Sequence, residues 1–186
     1  MKKQLLFVIA AFCMGLPAAM AQDSGVSVGL EIALPLGDFG EVYTLGYGAS
    51  GAYELGVSDN LGVTGTIGYI LLAPDSDISD FVKRASMMPI QVGANYYLDQ
   101  RGSGLYAGAQ VGIHNMSVTT EDIEILGVTI EGETESESDL SLAPQVGFCI
   151  TDQLSVDARY QLILSADDDI GAENSSYFGI RAAYRF

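Results

Sequence analysis

Apolar and polar residues alternate along most of the chain with a period of two. The first such run has Val26, Val28, Leu30, Ile32 and Leu34 on one face, and Ser27, Gly29, Glu31 and Ala33 on the other. Because successive side chains of a strand point to opposite sides, each run predicts a strand with one apolar face. Eight strands are predicted, near residues 26–34, 47–56, 61–71, 88–98, 105–114, 140–150, 154–162 and 178–186.

The connections between these strands are alternately long and short. The long ones are 35–44, 73–87, 118–139 and 165–176, and the short ones are 57–60, 99–103 and 151–153. This alternation predicts an all-β fold: an eight-stranded antiparallel up-and-down transmembrane β-barrel with short periplasmic turns and long acidic extracellular loops. Pro144 falls within the sixth strand and predicts a bulge or a local break, because it cannot donate to the ladder.

The first 21 residues have the three parts of a secretory signal peptide. Two lysines precede an apolar run, and Ala19 and Ala21 supply the small residues before a cleavage site. We therefore predict a cleavable signal peptide at residues 1–21 and one barrel domain at residues 22–186. No later stretch approaches the roughly 18 apolar residues of a membrane-spanning helix.

The composition combines a strong negative charge with an apolar chain. The formal net charge is −16, from 24 acidic and 8 basic residues, while 48% of the residues are hydrophobic. This hydrophobicity excludes a disordered chain, and the shortage of basic residues excludes a nucleic-acid partner. Removal of the signal peptide leaves a net charge of −18, carried mostly by the four long connections, and leaves Cys149 as the single cysteine.

On the polar face of the strands, the charges cancel. The charged residues there are Glu31, Glu54, Asp157, Arg159, Arg181 and Arg185. An eight-stranded barrel has an interior that side chains just fill, and buried charges there must be paired. The set therefore predicts a lumen charge network. Two alternatives remain: a chance balance on a solvated surface, and a soluble lipocalin-like barrel whose apolar face lines a ligand cavity.

Tyrosines near the strand ends predict the aromatic girdles of a membrane barrel. They are Tyr47 and Tyr69 near one set of ends, and Tyr96, Tyr97, Tyr106 and Tyr184 near the other. The chain has no tryptophan, so tyrosine alone would form these girdles.

The last strand ends in an aromatic residue, with apolar residues at every second position before it: Phe178, Ile180, Ala182, Tyr184 and Phe186. This ending resembles the signal by which the barrel-assembly machinery recognises Gram-negative outer-membrane barrels for insertion. With the signal peptide and eight strands, the whole mature chain resembles the small eight-stranded barrels of the OmpA transmembrane-domain and OmpX type. The resemblance implies a monomer in the outer membrane, surrounded by lipid and lipopolysaccharide. The chain stops at the barrel, so a role in tethering the cell wall is not implied.

The longest connection carries acidic residues at every second position: Glu131, Glu133, Glu135, Glu137 and Asp139. Their parity continues that of the sixth strand, so we expect this strand to extend beyond the membrane with acids on one face. The apolar residues Ile123, Ile125, Val128 and Ile130 around Leu126 and Gly127 predict the tip of a hairpin. A protruding hairpin at 118–139 could recruit an extracellular partner by strand addition, and the alternative is a solvated acidic loop.

The sequence predicts no catalytic, cofactor or metal site. His114 is expected to point into the lumen, and Ser117 and Asp122 nearby show no spacing typical of a nucleophile with its base. Two acidic runs offer oxygen ligands but lack the spacing of a calcium loop: Asp75, Asp77 and Asp80, and Asp167 to Asp169 with Glu173. Cys149 is expected to be an inert packed thiol.

The function predicted from these patterns is that of an outer-membrane barrel with a side-chain-filled lumen. Its acidic extracellular loops would act in envelope integrity, adhesion or surface recognition. The main alternative is a narrow porin-like channel for small solutes. A barrel enzyme that modifies lipid A and a soluble binding barrel are less favoured.

Overall fold

The computed structural model of the protein describes residues 24–76, 82–120, 123–125, 128–130, 132–165 and 174–186. The strands are β1 (Ser24–Leu36), β2 (Tyr43–Gly56), β3 (Leu61–Pro74), β4 (Val82–Tyr97), β5 (Gly104–Thr120), β6 (Ile123–Ile125), β7 (Val128–Ile130), β8 (Thr134–Cys149), β9 (Leu154–Leu164) and β10 (Ser175–Arg185). A short helix, α1 (Asp38–Val42), lies between β1 and β2. No helix within these residues is long and apolar enough to cross a membrane.

Eight of the strands form a closed antiparallel barrel in the order β1-β10-β9-β8-β5-β4-β3-β2. The barrel closes between its first and last strands, with pairs from Ser27↔Arg185 to Leu36↔Ser176. The short strands β6 and β7 pair with each other as a separate hairpin. The predicted eight-stranded up-and-down barrel is therefore confirmed.

The apolar face of the strands points away from the barrel interior. On β1, Leu30 is 72% exposed, whereas the adjacent Glu31 is 4% exposed. Val92 of β4 and Val146 of β8 are likewise more than half exposed. A soluble lipocalin-like barrel would turn this apolar face inwards, so that alternative is wrong. The outward face has the character of a surface that contacts lipid.

The strands extend into the long connections predicted from the sequence. β3 runs to Pro74 and β4 begins at Val82, inside the predicted link 73–87. β5 and β8 have 17 and 16 residues, whereas β9 and β10 have 11 each. One side of the barrel therefore rises higher at the end that carries the long connections. We call this the long-link end, and the opposite end the short-turn end.

Pro144 lies within β8, with its side chain exposed on the outer face. It pairs with Ala109 of β5 in unbroken register. On the β9 side the pairing stops at Leu142 and resumes at Gln145 in the same register. The strand is therefore not bulged, and the ladder is interrupted only on the side where proline has no N–H to donate.

Several predicted features lie outside the described residues. They are the signal peptide at 1–21, Asp122, the tip residues Leu126 and Gly127, Glu131 of the acidic series, and the acidic residues Asp77, Asp80, Asp167 to Asp169 and Glu173. On either side of the tip, the backbone of Ile123 pairs with Ile130 and that of Ile125 with Val128. The backbone thus forms a hairpin where the sequence predicts one.

Candidate functional site: the barrel interior and the sheet beyond it

Two acids and two arginines meet in the middle of the barrel. Arg159 Nη2 lies 2.6 Å from Glu31 Oε1, and neither side chain is more than 3% exposed. Arg181 lies between two acids, with its Nε 3.9 Å from Glu31 Oε1 and its Nη1 3.8 Å from Asp157 Oδ2. The register explains the meeting, because Arg181 of β10 stands opposite Glu31 on one side and Asp157 on the other. The four formal charges cancel within this cluster.

A second charged cluster closes the short-turn end. Glu54 Oε1 lies 3.8 Å from both Arg101 Nε and Arg185 Nη1. The Tyr97 hydroxyl donates to Glu54 Oε2 at 2.8 Å. Arg101 comes from the turn between β4 and β5, yet its side chain is only 7% exposed. The sequence prediction missed this member of the network, because a turn residue has no strand parity that would place it inside.

Inward-facing glycines make room for these large side chains. A Cβ at Gly29 would lie 2.7 Å from Arg181 Nε, which is too close for a real contact. A Cβ at Gly147 would overlap the ring of Tyr106, which stands directly opposite it in the register. Part of the high glycine content therefore reflects close packing across the lumen, where a small residue on one strand faces a large one on the next.

A layer of amide side chains lies among the inward residues of β4, β5, β8 and β9. Gln91 Nε2 donates to Gln161 Oε1 at 3.3 Å. Gln145 Nε2 donates to Asn95 Oδ1 at 2.6 Å and accepts at Oε1 from Gln110 Nε2 at 3.1 Å. All five side chains are buried. These bonds link strands across the lumen, and the Oε1 atoms of Gln91 and Gln110 are left without a described hydrogen-bond partner.

Towards the long-link end the interior becomes apolar. His114 Nε2 and Tyr177 Oη lie 3.1 Å apart, and each residue is 1% exposed. Beside them lies an apolar cluster of buried side chains: Ala33, Phe39, Tyr43, Ile70, Leu72, Ala85, Met87, Ile163 and Tyr177. Ile70 and Met87 are completely buried, and Phe39 is supplied by α1. Such a cluster excludes water from this part of the lumen.

A small polar cavity remains at the short-turn end. It has a volume of about 70 Å³, and Glu54, Thr64, Gln110, Asp157 and Arg181 are among its lining residues. One water needs roughly 10–15 Å³ of such space, so the cavity has room for a few waters. Within the described part of the chain, no residue of the apolar cluster lines it. The cavity therefore ends before the apolar cluster.

The aromatic girdles differ in part from the prediction. Four of the six tyrosines predicted for the girdles face outwards and are 41–59% exposed: Tyr47, Tyr69, Tyr96 and Tyr184. Tyr97 and Tyr106 are instead buried in the lumen, with ring centroids 5.0 Å apart. Their assignment to a girdle is wrong because they occupy inward positions of the alternation. There the hydroxyl of Tyr97 reaches Glu54, and that of Tyr106 donates to Asp157 Oδ2 at 3.3 Å.

Beyond the apolar band, β5 and β8 continue as a polar ribbon. The outward apolar residues of this pair end at Ile113 and Leu140. Three cross-strand hydrogen bonds follow on the outer face: Asn115 Nδ2 to Ser138 Oγ at 2.8 Å, Ser117 Oγ with Ser136 Oγ at 2.9 Å, and Thr119 Oγ1 with Thr134 Oγ1 at 3.0 Å. We call residues 134–139 the β8 extension.

Among the described residues, the β8 extension is paired along one edge only, and we call the other its open edge. It pairs with β5 along its whole length, whereas the described pairing with β9 ends at Leu140↔Leu164. The Thr120 N–H donates to the Glu133 carbonyl at 3.1 Å, so the odd-numbered residues of β8 bond to β5. By the alternation of an antiparallel ladder, even-numbered residues such as Ser136 direct their backbone groups to the open edge.

The acidic series is divided between the exterior and the interior. Glu133, Glu135 and Glu137 are exposed, as expected for a surface strand. Asp139 is instead 8% exposed and stands opposite His114 in the register. Asp139 is therefore not one of the exposed acids, because the inward parity of β8 carries its side chain into the closed barrel.

Two of the residues considered for catalysis, His114 and Ser117, lie among the described residues. His114 is inward and buried, whereas Ser117 faces outwards on the same strand and bonds to Ser136. Opposite faces of β5 prevent these two side chains from acting as a base and its nucleophile. Cys149 is a free, half-buried thiol at the short-turn end. Among the described residues, no group of three or more His, Cys, Asp or Glu could hold a metal.

The alternate apolar residues of the last strand all face outwards. They are Phe178, Ile180, Ala182, Tyr184 and Phe186. Phe186 is 76% exposed, and its N–H donates to the Val26 carbonyl at 3.0 Å. Its ring centroid lies 5.1 Å from that of Tyr184. The carboxy terminus thus ends the barrel seam with an exposed aromatic pair.

A family model described as the outer membrane protein beta-barrel domain matches residues 5–186. The chain belongs to this family. Membership implies a location in the outer membrane, and in such barrels the short turns are periplasmic and the long loops extracellular. The short-turn end is therefore the periplasmic end, and the long-link end is the extracellular end. The comparison with curated proteins gives no match.

Solved structures of outer-membrane barrels share this fold. The amino-terminal barrel domain of Pseudomonas aeruginosa OprF has a TM-score of 0.59 and 13% identity, over 89% of this chain and 98% of that domain. Ail, the attachment invasion locus protein of Yersinia pestis, has a TM-score of 0.61 and 17% identity, over 88% and 97% of the two chains. Neisserial surface protein A has a TM-score of 0.53 and 13% identity, over 87% and 95%.

Proposed function

We propose that this outer-membrane barrel is a non-conducting scaffold that presents its extracellular sheet for adhesion or surface recognition. One observation carries the proposal: side chains fill the interior, while β5 and β8 continue past the apolar band, with one edge that no described strand covers and with exposed acids on one face. A filled interior leaves the extracellular surface as the part of the molecule that can act.

The interior supports this proposal over the porin-like alternative. A solute would have to pass the buried Glu31–Arg159 pair and then the apolar cluster around Ile70 and Met87. The cavity of about 70 Å³ lies at the periplasmic end and is lined mostly by polar side chains. A non-catalytic role is supported by the separation of His114 from Ser117 on opposite faces of β5.

The open edge of the β8 extension points to the chemistry of a partner. An extended segment could add to this edge through backbone hydrogen bonds, which supply affinity without a particular sequence. Glu133 and Glu135 share one side, about 7 Å apart, which is the spacing of alternate residues in a strand. The partner that fits is therefore an extended segment with Lys or Arg at alternate positions.

One known barrel of this fold offers a contrast in ligand charge. Ail is named for attachment and was crystallised with sucrose octasulfate, a heparin analogue. A polyanion of that kind would be repelled by the acidic β8 extension. The recognition proposed here is thus directed at a basic segment rather than at a sulfated sugar.

The last strand supports a proposal about assembly. The outward row that ends at Phe186 is exposed on the barrel surface. We propose that the chain is inserted through this strand and functions as a monomer.

The recognition proposal is tested with a labelled peptide of alternating lysine and valine and with vesicles that contain the folded barrel. Ser136→Pro removes a backbone donor from the open edge, and Ser136→Ala is the matched control that also loses the bond to Ser117. We expect Ser136→Pro to weaken binding at least tenfold and Ser136→Ala to leave it unchanged. Equal binding by the two variants, or no saturable binding by the wild type, would contradict the proposal.

A further inference from the structure

Basic side chains are distributed unevenly over this acidic barrel. Six basic residues follow residue 23, and four of them take part in the lumen clusters: Arg101, Arg159, Arg181 and Arg185. The other two, Lys83 and Arg84, stand side by side at the extracellular end of β4, and both are exposed. The outer surface therefore has one adjacent basic pair among the described residues.

An irregularity in β4 makes this pairing possible. Val82 pairs with Thr120 of β5, but Arg84 pairs with Thr119, so Lys83 is an extra residue in the ladder. In a regular strand two adjacent side chains would point to opposite faces. A bulge of this kind re-aims a side chain locally, and here it leaves two consecutive cations exposed.

The Arg84 guanidinium is held against an outward-facing tyrosine. Its Nη2 donates to Tyr69 Oη at 2.7 Å, and its Cζ lies 5.8 Å from the ring centroid. Tyr69 lies on β3 and is 43% exposed. The contact with Tyr69 holds the planar Arg84 guanidinium in place. Of its five N–H donors, only one is directed at the tyrosine. A guanidinium of this kind suits the bidentate recognition of phosphate.

The site lies at the height where lipid head groups begin. The outward apolar residues of β4 end at Met88, four residues below Arg84. At about 3.3 Å per residue this is about 13 Å along the strand, and less along the membrane normal because the strand is tilted. The Arg84 side chain reaches back to Tyr69, a position typical of an interfacial aromatic residue. The cation is thereby placed at the level of the outer-leaflet head groups.

We propose that Lys83, Arg84 and Tyr69 form a binding site for a phosphate group on a lipid of the outer leaflet. Phosphate is the anion that lipids present at this height, and the exposed acids Glu133 and Glu135 would repel it from the β8 side of the barrel. The site is separate from the open edge of β8, so this proposal does not depend on the recognition proposal.

The test measures lipid retained on the folded barrel by native mass spectrometry, with lipid A in nanodiscs and a dephosphorylated lipid A in parallel. We expect wild-type barrel to retain phosphorylated lipid A. The double variant Lys83→Gln/Arg84→Gln should retain at least fivefold less. The matched control Lys83→Arg/Arg84→Lys, which keeps both charges, should retain it nearly as well as the wild type. Gel mobility of unboiled samples checks that each variant is folded.

Further measurements distinguish a lipid phosphate from other reasons why lipid is retained on the barrel. Equal retention by the double glutamine variant, or equal retention of the dephosphorylated lipid, would overturn the proposal. If millimolar inorganic phosphate removes the lipid, the site takes the free anion and the assignment to a lipid is wrong. Retention that is unchanged in free phosphate supports the lipid as the ligand.

Discussion

Replacement of Glu31 by glutamine tests the central charge cluster most severely. Glu31 contacts Arg159 at 2.6 Å and Arg181 at 3.9 Å. In Glu31→Gln, Arg181 keeps Asp157 at 3.8 Å, whereas Arg159 loses its direct ion pair while only 2% exposed. Breaking a buried pair by removing one partner costs about 3–5 kcal/mol, since an uncompensated charge stays buried. At about 1.4 kcal/mol per tenfold change, the folding equilibrium should fall at least about 100-fold.

The assay is equilibrium unfolding by urea in lipid vesicles. The chain has no tryptophan, so the folded fraction is read from the gel mobility of unboiled samples. Glu135→Gln makes the same chemical change at an exposed site of β8 and should alter stability by less than about 0.5 kcal/mol. Adding Arg159→Met to Glu31→Gln should recover part of the lost stability, because it removes the buried arginine charge that has lost its partner. A stability of Glu31→Gln within about 1 kcal/mol of the wild type, or strictly additive effects in the double variant, would refute the reasoning.

Three further predictions concern packing and assembly. Gly147→Ala should destabilise the folded barrel by about 1–3 kcal/mol in the same urea assay, because its Cβ would overlap the Tyr106 ring; an unchanged midpoint would contradict the packing. Met87→Ala should cost about 2–5 kcal/mol and Met87→Leu less than about 1.5 kcal/mol, since Met87 is completely buried in the apolar cluster; equal losses would be inconsistent with a cavity. Phe186→Ala should lower the amount of heat-modifiable barrel in outer-membrane fractions, and undiminished assembly would count against the predicted signal.

The eight strands could be predicted because membrane barrels expose one face to lipid along every strand. On β1 the alternation of Leu30 with Glu31 directly reports which side chain faces lipid and which faces the lumen. The same alternation predicts that Arg159 and Arg181 point inwards, where each meets an acid. It also indicated that β8 continues beyond the membrane, because the acids at Glu135 and Glu137 preserve its period.

The alternation of apolar and polar residues does not indicate how far along the barrel axis a residue lies, or how far its side chain extends. Ile70 and Met87 share the inward parity of the polar residues, so nothing in the alternation revealed an apolar cluster near the extracellular end. Arg101 belongs to a turn, and only its folded-back side chain brings it to Glu54. Tyr97 was assigned by its place near a strand end, although its parity was inward. These features depend on three-dimensional packing, which a one-dimensional pattern does not contain.

The measurement that tests the filled lumen most directly is single-channel recording in planar lipid bilayers with the purified, folded barrel. We expect no stable openings above the baseline of a protein-free bilayer, because the apolar cluster and the buried charge network leave no continuous path. Stable openings of the wild type, with a conductance unchanged by Arg159→Ala and Arg181→Ala, would contradict it.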